Sequence, residues 1–226
     1  MHRLLELFSG TGSIGKAFLR EGWEVISVDI DKKANPTHLA NVLTWDYRQY
    51  PPGYFDFVWA SPPCTQYSIA RTCAQTPRDL EGSDRIVERT QEIISYFDCL
   101  WAMENPFTGL LKSRPCMAGM DRYLKVVSYC KYGMPYRKNT AIWSNLGEYW
   151  FPKPLCNKFS VCELRADGAT RHPCIAQQRS GKGGNPRYST RQLYVIPASL
   201  CDEIAKAVCE AVRAEPGTQK PNFRTT

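Results

Sequence analysis

Leu4-Leu5-Glu6-Leu7-Phe8-Ser9-Gly10-Thr11-Gly12-Ser13-Ile14-Gly15 is the stretch on which the fold turns. Leu4 to Phe8 is an apolar run of strand length, the glycines end it, and Ser13 to Glu21 carries a helical pattern. Glu24-Val25-Ile26-Ser27-Val28 reads as a second strand, and Asp29 ends it. Strand, glycine turn, helix and strand make a βαβ unit, which packs around a parallel sheet. Glycines in that turn let the backbone approach a ligand at the helix N-terminus, and a carboxylate one strand later accepts from ribose hydroxyls. The residues alone fit NAD, FAD or S-adenosylmethionine (AdoMet) equally well.

Outward from this unit the alternation continues. Tyr54 to Ala60 is a short apolar run stopped by Ser61-Pro62-Pro63. Ser83 reads as the cap of a helix running to about Phe97, with Ile86, Val87, Ile93, Ile94 and Phe97 on one face. Cys99 to Glu104, Lys125 to Ser128 and Thr140 to Trp143 are further strands, and Ala198 to Ala214 is a final amphipathic helix. The expected class is therefore α/β, a mostly parallel Rossmann-like sheet flanked by helices. Residues 1–144 form the catalytic, nucleoside-cofactor domain. Residues 145–190, rich in Gly, Pro, Lys and Arg, form a small irregular segment, residues 191–214 return to the first domain, and 215–226 are a disordered tail.

The 226 residues are 43% hydrophobic with ten cysteines and a formal charge of +7. That is enough chain for one large domain without disulfide support, and the composition excludes collagen, coiled coil and disorder. No stretch of 18 apolar residues suggests a membrane span, and the opening Met1-His2-Arg3-Leu4-Leu5-Glu6 does not suit a signal peptide. The expectation is a soluble protein of the cytoplasm, or of the nucleoid or host nucleus if viral, with its cysteines as thiols. Charge is concentrated: residues 151–191 hold eight Lys and Arg against Glu163 and Asp167, a surplus of six out of the seven. A neutral body with one basic segment points to a polyanion met on one side, against the plainer reading of a solvated basic loop.

Two further motifs stand at strand ends, where ligands bind in open α/β sheets. Ser61-Pro62-Pro63-Cys64 presents a thiol on a backbone stiffened by two prolines. A cysteine in a polar turn at a strand end is better placed as a nucleophile than as packing. Trp101-Ala102-Met103-Glu104-Asn105-Pro106 ends a strand on a glutamate, whose burial would raise its pKa toward neutrality and suit it to proton transfer.

In order and approximate spacing, Leu7 to Gly12, Pro63-Cys64-Thr65-Gln66-Tyr67-Ser68 and Glu104-Asn105-Pro106 resemble the motifs of the DNA (cytosine-5) methyltransferase family. Tyr132-Gly133-Met134-Pro135-Tyr136-Arg137-Lys138 resembles its later basic motif, and Ile196-Pro197 its closing motif. The likeness spans about residues 4–143 and 187–212, and the short chain fits a phage or mobile-element type. It implies a base flipped from double-stranded DNA and Cys64 and Glu104 as the catalytic pair, with Arg137 or Lys138 at the base O2 or a phosphate. It implies AdoMet along Phe8, Ser9, Gly10, Thr11, Gly12, Ser13 and Ile14, with Pro62 beside it. Asp29 would take the ribose, Ile30 one adenine face and Asn41 the adenine amino group. Residues 65–82 would be a mobile loop closing over the base. The chain departs from the family in three regions: Asn41 stands for Asp, which implies weaker binding of AdoMet. Tyr136, Lys138 and Thr140 stand for a Gln and two Arg, and Tyr194-Val195-Ile196-Pro197 lacks a Gly-Asn.

In the family the segment between the basic and closing motifs reads DNA. At about residues 145–190 it is short, which implies a target of a few base pairs and an affinity dominated by phosphates. Cys156, Cys162, His172 and Cys174 fall within it and are zinc-type ligands. Their gaps of five, nine and one residue are not a standard zinc pattern, so incidental thiols are favoured over zinc. The chain reads as a monomer without membrane contact. Three readings compete. An adenine-N6 methyltransferase would need an aromatic residue at Cys64, an RNA cytosine methyltransferase shares the chemistry, and a silent DNA-binding relative would not need Cys64 and Glu104.

Overall fold

The computed structural model describes residues 1–69, 71, 74–165, 169, 171–176 and 188–214. Seven strands form one sheet: β1 (Arg3–Leu7), β2 (Glu24–Asp29), β3 (His38–Leu39), β4 (Phe57–Ala60), β5 (Leu100–Pro106), β6 (Leu124–Ser128) and β7 (Asn139–Ser144). Their order is β3-β2-β1-β4-β5-β7-β6. β1 to β5 are parallel, and β7 runs antiparallel between β5 and β6. The helices are α1 (Ser13–Arg20), α2 (Leu80–Phe97), the short α3 (Thr190–Leu193) and α4 (Ala198–Ala214). The α/β expectation holds, with one antiparallel strand in an otherwise parallel sheet.

Alternation along the strands explains the layering, because successive side chains leave a strand on opposite faces. Leu4, Phe57, Trp59, Leu100, Ala102 and Ile142 face one core, together with Ile14 and Phe18 of α1 and Leu200, Ile204 and Val208 of α4. Leu5, Leu7, Val58, Ala60, Trp101, Met103 and Trp143 face the other, together with Val87, Ile93, Ile94 and Phe97 of α2. Both faces are covered, which is why the central strands read as continuous apolar runs. Leu146 and Trp150, just beyond β7, belong to the first core, while Phe151 and Phe159 further along are exposed.

The sheet has its switch point between β1 and β4, whose connections leave toward opposite sides. The carboxyl ends of β1, β4 and β5 therefore form the crevice edge, and the glycine turn, the Pro63-Cys64 run and Glu104-Asn105-Pro106 each sit on one of them. The start of α2 departs from expectation. Asp79, not Ser83, caps it, its Oδ1 accepting from Gly82 N at 2.8 Å. Ser83 lies one turn inside, and its hydroxyl donates back to Asp79 O at 2.9 Å, as serines within helices do. A side chain at position 82 would collide with the Asp79 carboxylate, so Gly82 is what admits the cap. The expected loop over 65–82 thus gives up its last three residues to the helix. The expected tail, 215–226, lies outside the described residues.

Candidate active site

The turn after β1 is built from unusual backbone. Phe8 sits at φ 59°, a left-handed conformation that a non-glycine residue adopts only at a cost, and Gly10 and Gly12 follow at 49° and 64°. The three bends lift residues 8–12 over the strand end into α1. Phe8 N donates to Val28 O at 2.8 Å and Gly12 N to Ser9 O at 2.7 Å. Asp29 is what holds the turn: Oδ2 accepts from Gly10 N and Oδ1 from Asp31 N, both at 2.8 Å. Its second lone pairs are what remains for a ribose. Ser9 Oγ is buried and has no hydrogen-bond partner among the described residues. Thr11 and Ser13 hydroxyls are 2.7 Å apart, and Ile196 N donates to Ser13 Oγ at 3.3 Å. The closing motif therefore rests directly on the glycine turn.

A nucleoside cofactor fits these residues. An unpartnered hydroxyl at Ser9, backbone without side chains at Gly10 and Gly12, and the amino end of α1 suit a polar, carboxylate-bearing group. Ile30, just past β2, is 71% exposed, an apolar side chain free to cover a flat ring. Asn41 is exposed, and its Oδ1 accepts from Leu43 N at 3.1 Å within its own turn, leaving one lone pair for a donor.

The second half of the site joins β4 to β5. Asn105, 1% exposed, donates from Nδ2 to Pro62 O at 2.9 Å, fixing the Pro62-Pro63-Cys64 turn to the strand that carries Glu104. Pro62 is buried and Cys64 half-buried. Glu104 is buried and receives a hydrogen bond from Tyr129 OH to Oε1 at 3.3 Å, with Ser61 also bonded to it. Ser61 Oγ in turn accepts from Trp59 Nε1 at 2.9 Å. Burial pushes the Glu104 carboxyl up against the opposing pull of Lys138, Tyr129 and Ser61. Burial, and then the Glu104 charge, push the Cys64 thiol up, while Lys138 draws it down. A protonated Glu104 thus removes one of the two influences that keep Cys64 protonated. Lys138 lies 4.9 Å above the Tyr129 ring, and its Nζ donates to Leu193 O at 3.1 Å.

The basic motif divides. Lys138 acts on Cys64 and Glu104, while Arg137 is exposed and its charge bears on His172. The loop after Cys64 begins firmly anchored: Tyr67 OH donates to Asp84 Oδ1 at 2.8 Å, and Arg114 pairs with both oxygens of Asp84. Arg78 closes its far end, donating to Gln66 O and Ser68 O at 2.6 and 2.9 Å. The thiol cluster differs from expectation. Cys156, Cys162 and His172 do come together, but their fourth neighbour is Cys130, next to Tyr129. Cys174 is outside the group, its backbone N donating instead to Pro135 O at 3.2 Å. A gap of one residue leaves His172 and Cys174 no room to turn onto one centre, whereas Cys130 arrives from a separate element.

Neither Tyr129 nor Cys130 belongs to a motif, and Ser61 stands in the Ser61-Pro62-Pro63-Cys64 run with no role of its own read from the sequence. Tyr129 does follow a strand directly, as Cys64 nearly does, and that position is the signal that points to it.

No family model matches the chain. It is 35% identical over 220 residues to the Frog virus 3 (isolate Goorha) protein named "Probable DNA (cytosine-5)-methyltransferase", covering 89% of this chain and 98% of the viral one. The chain belongs to the DNA (cytosine-5)-methyltransferase family. Among solved structures it resembles the Entamoeba histolytica methyltransferase EhMeth, with TM-score 0.50 and 17% identity over 72% of this chain and 57% of that one. It also resembles S. pombe Dnmt2 methyltransferase, with TM-score 0.48 and 14% identity over 73% and 60%. The chain spans somewhat more than half the length of those two structures. EhMeth agrees with the Rossmann-like fold. Membership of the family brings use of AdoMet with it, and no described helix is long and apolar enough to cross a membrane.

Proposed function

We propose that this methyltransferase moves the methyl group of AdoMet to carbon 5 of cytosine in double-stranded DNA, at a target of a few base pairs, through a covalent adduct between Cys64 and carbon 6 of a flipped-out base. The observation that carries the reading is the pair itself. A thiol and a buried carboxyl stand at the ends of adjacent strands, under the influence of one ammonium and joined by the Asn105–Pro62 hydrogen bond.

Carbon 5 of cytosine is a poor nucleophile within an aromatic ring. Addition of the Cys64 sulfur to carbon 6, with its proton lost to solvent, breaks the aromaticity and moves an electron pair toward N3 and carbon 5. Glu104, kept protonated by burial, donates to N3 as that charge develops. When bound, AdoMet supplies the electrophilic methyl group that carbon 5 then takes. Loss of the carbon 5 proton, expulsion of the Cys64 sulfur and return of the N3 proton to Glu104 release the product. Lys138 favours the thiolate throughout. Ser9, Gly10, Gly12 and the start of α1 would hold the polar end of AdoMet, Asp29 the ribose and Ile30 and Asn41 the adenine. Every group this chemistry uses comes from one chain, in keeping with a monomer.

The reading is tested with AdoMet and a duplex carrying 5-fluorocytosine, in which the missing proton blocks release of Cys64. A covalent adduct that survives denaturation is expected with the wild-type chain and none with Cys64→Ser. An adduct on RNA with none on DNA would move the substrate to RNA, and an adduct that persists in Cys64→Ser would overturn the mechanism.

A further inference from the structure

Outside the catalytic pair, one group of chemically capable side chains is left without a role. The sulfurs of Cys130, Cys156 and Cys162 and a ring nitrogen of His172 lie within 4.8 Å of one another. The three cysteines are buried, carry no disulfide, and form a cluster of their own apart from the two large cores. Three thiols gathered in a pocket of their own make little sense as packing. They bury few carbons, and their sulfurs face a polar imidazole.

The spacing has a metal's dimensions. His172 Nε2 is 3.5 Å from Cys156 Sγ and 3.4 Å from Cys162 Sγ. Around a tetrahedral zinc, with Zn–S near ~2.3 Å and Zn–N near ~2.05 Å, a sulfur and a nitrogen are about 3.5 Å apart. Three soft ligands and an imidazole suit zinc, and four protein ligands leave no open position, the mark of a structural rather than a catalytic ion. We infer that Cys130, Cys156, Cys162 and His172 bind one structural zinc ion.

The site lies where the fold needs it. Cys130 belongs to the catalytic body, two residues beyond β6, while the other three ligands come from the basic segment. That segment has only a single 3-10 turn, Glu163–Arg165, between residues 151 and 176 among its described residues, and Phe151, Phe159, Val161, Leu164 and Ile175 are all exposed. Polar contacts already run along the same seam. Cys156 N donates to Ser128 Oγ at 3.1 Å, and Lys131 Nζ to Ser160 Oγ and Val161 O at 3.0 and 2.7 Å. Zinc would join the ends that these bonds align. On binding, each thiol passes its proton to solvent, leaving three thiolates on a dication and a net charge of −1 that Lys131 and Arg165 flank. Because Cys130 adjoins Tyr129, the partner of Glu104, the ion would set the basic segment at a fixed distance from the catalytic pair.

Metal analysis of the full chain, purified under reducing conditions and without a histidine tag, tests this directly. About one zinc per chain is expected. After exchange for cobalt, the spectrum should show the intense tetrahedral d–d bands and the thiolate-to-cobalt charge transfer of a three-sulfur site. Cys130→Ser should lose at least ~90% of the metal and weaken DNA binding while the chain still binds AdoMet, and Cys174→Ser should keep it. Absence of metal after reconstitution with zinc, an octahedral cobalt spectrum, or metal lost in Cys174→Ser and kept in Cys130→Ser would each overturn the proposal. The cobalt spectrum of the wild-type chain decides the matter where Cys130→Ser does not fold.

Discussion

Glu104 and Lys138 pull the Cys64 thiol in opposite directions, and their substitution separates the two influences. Glu104→Gln removes the acid that protonates N3, so kcat should fall by about 10²- to 10⁴-fold. The same change removes a carboxyl that, once ionised at the alkaline pH where the thiol titrates, raises the Cys64 thiol. The pH midpoint for alkylation of Cys64, followed by mass spectrometry of that peptide, should therefore move down in Glu104→Gln. In Lys138→Met it should move up, because the ammonium that favours the thiolate is gone. Glu6 is a second buried carboxyl, with Oε1 accepting from Gly15 N at 3.2 Å beneath α1. Burial raises its pKa to about 7, against an ordinary 4.5. The folded chain therefore binds the proton more tightly than the unfolded one. The stabilisation is complete below pH 4.5 and is lost as pH rises to 7, a fall on the order of 3 kcal/mol. Urea unfolding across that range should show a shallower fall in Glu6→Gln than in the wild-type chain, with Glu104 keeping its own share of the decline. Gly15 is tied to the same carboxylate: a Cβ there would lie 2.6 Å from Glu6 Oε2. At this scale the sequence pointed to Cys64 and Glu104, the pair proposed to react, because a thiol and a carboxyl at strand ends are conspicuous. It concealed Asp29's hold on Gly10 and Glu6's burial, because both depend on which face of a strand meets a neighbouring backbone.

Among the elements, the clearest dependency is the staple that anchors the loop after Cys64. Asp84 on α2 is buried and receives both Tyr67 OH and the paired nitrogens of Arg114. Arg114→Ala would leave that carboxylate with only the neutral donors Tyr67 and Cys116 and should cost about 2–3 kcal/mol in urea unfolding. Tyr67→Phe, which removes one neutral donor, should cost about 1 kcal/mol. Most elements were legible in the sequence. Ala198–Ala214 appears as read, since an amphipathic helix announces itself by period, and six strands shift by three residues at most, while the two-residue β3, too short to show alternation, went unread. Ser83 misled because a serine before an apolar run looks like a cap, and only the Asp79–Gly82 contact shows the turn that precedes it. Cys130 was missed for a related reason: metal ligands were sought within the irregular segment, while the fourth came from the regular body across a gap of 25 residues.

For the molecule as a whole, charge distribution governs the meeting with DNA. Lys158 and Arg171 stand exposed in the basic segment, and neither is among the groups that act on Cys64 or Glu104. If they meet phosphates, Lys158→Ala and Arg171→Ala should each lower the slope of log K against log salt by about 1. AdoMet affinity, measured by calorimetry, should stay as in the wild type. A slope unchanged in both variants would place the DNA on a different face.

The place of α4 has one more consequence. The helix comes after every strand in the chain, yet it covers the same sheet face as α1 and brings Ile196 onto Ser13. While the chain is being synthesised, Leu4, Phe57, Trp59 and Leu100 emerge long before their cover does, and the antiparallel β7 must insert between β5 and a β6 already made. The nascent protein therefore carries an open aromatic surface for most of its translation. It is a natural client for chaperones, and a ribosome stalled before residue 198 would hold a chain prone to aggregate.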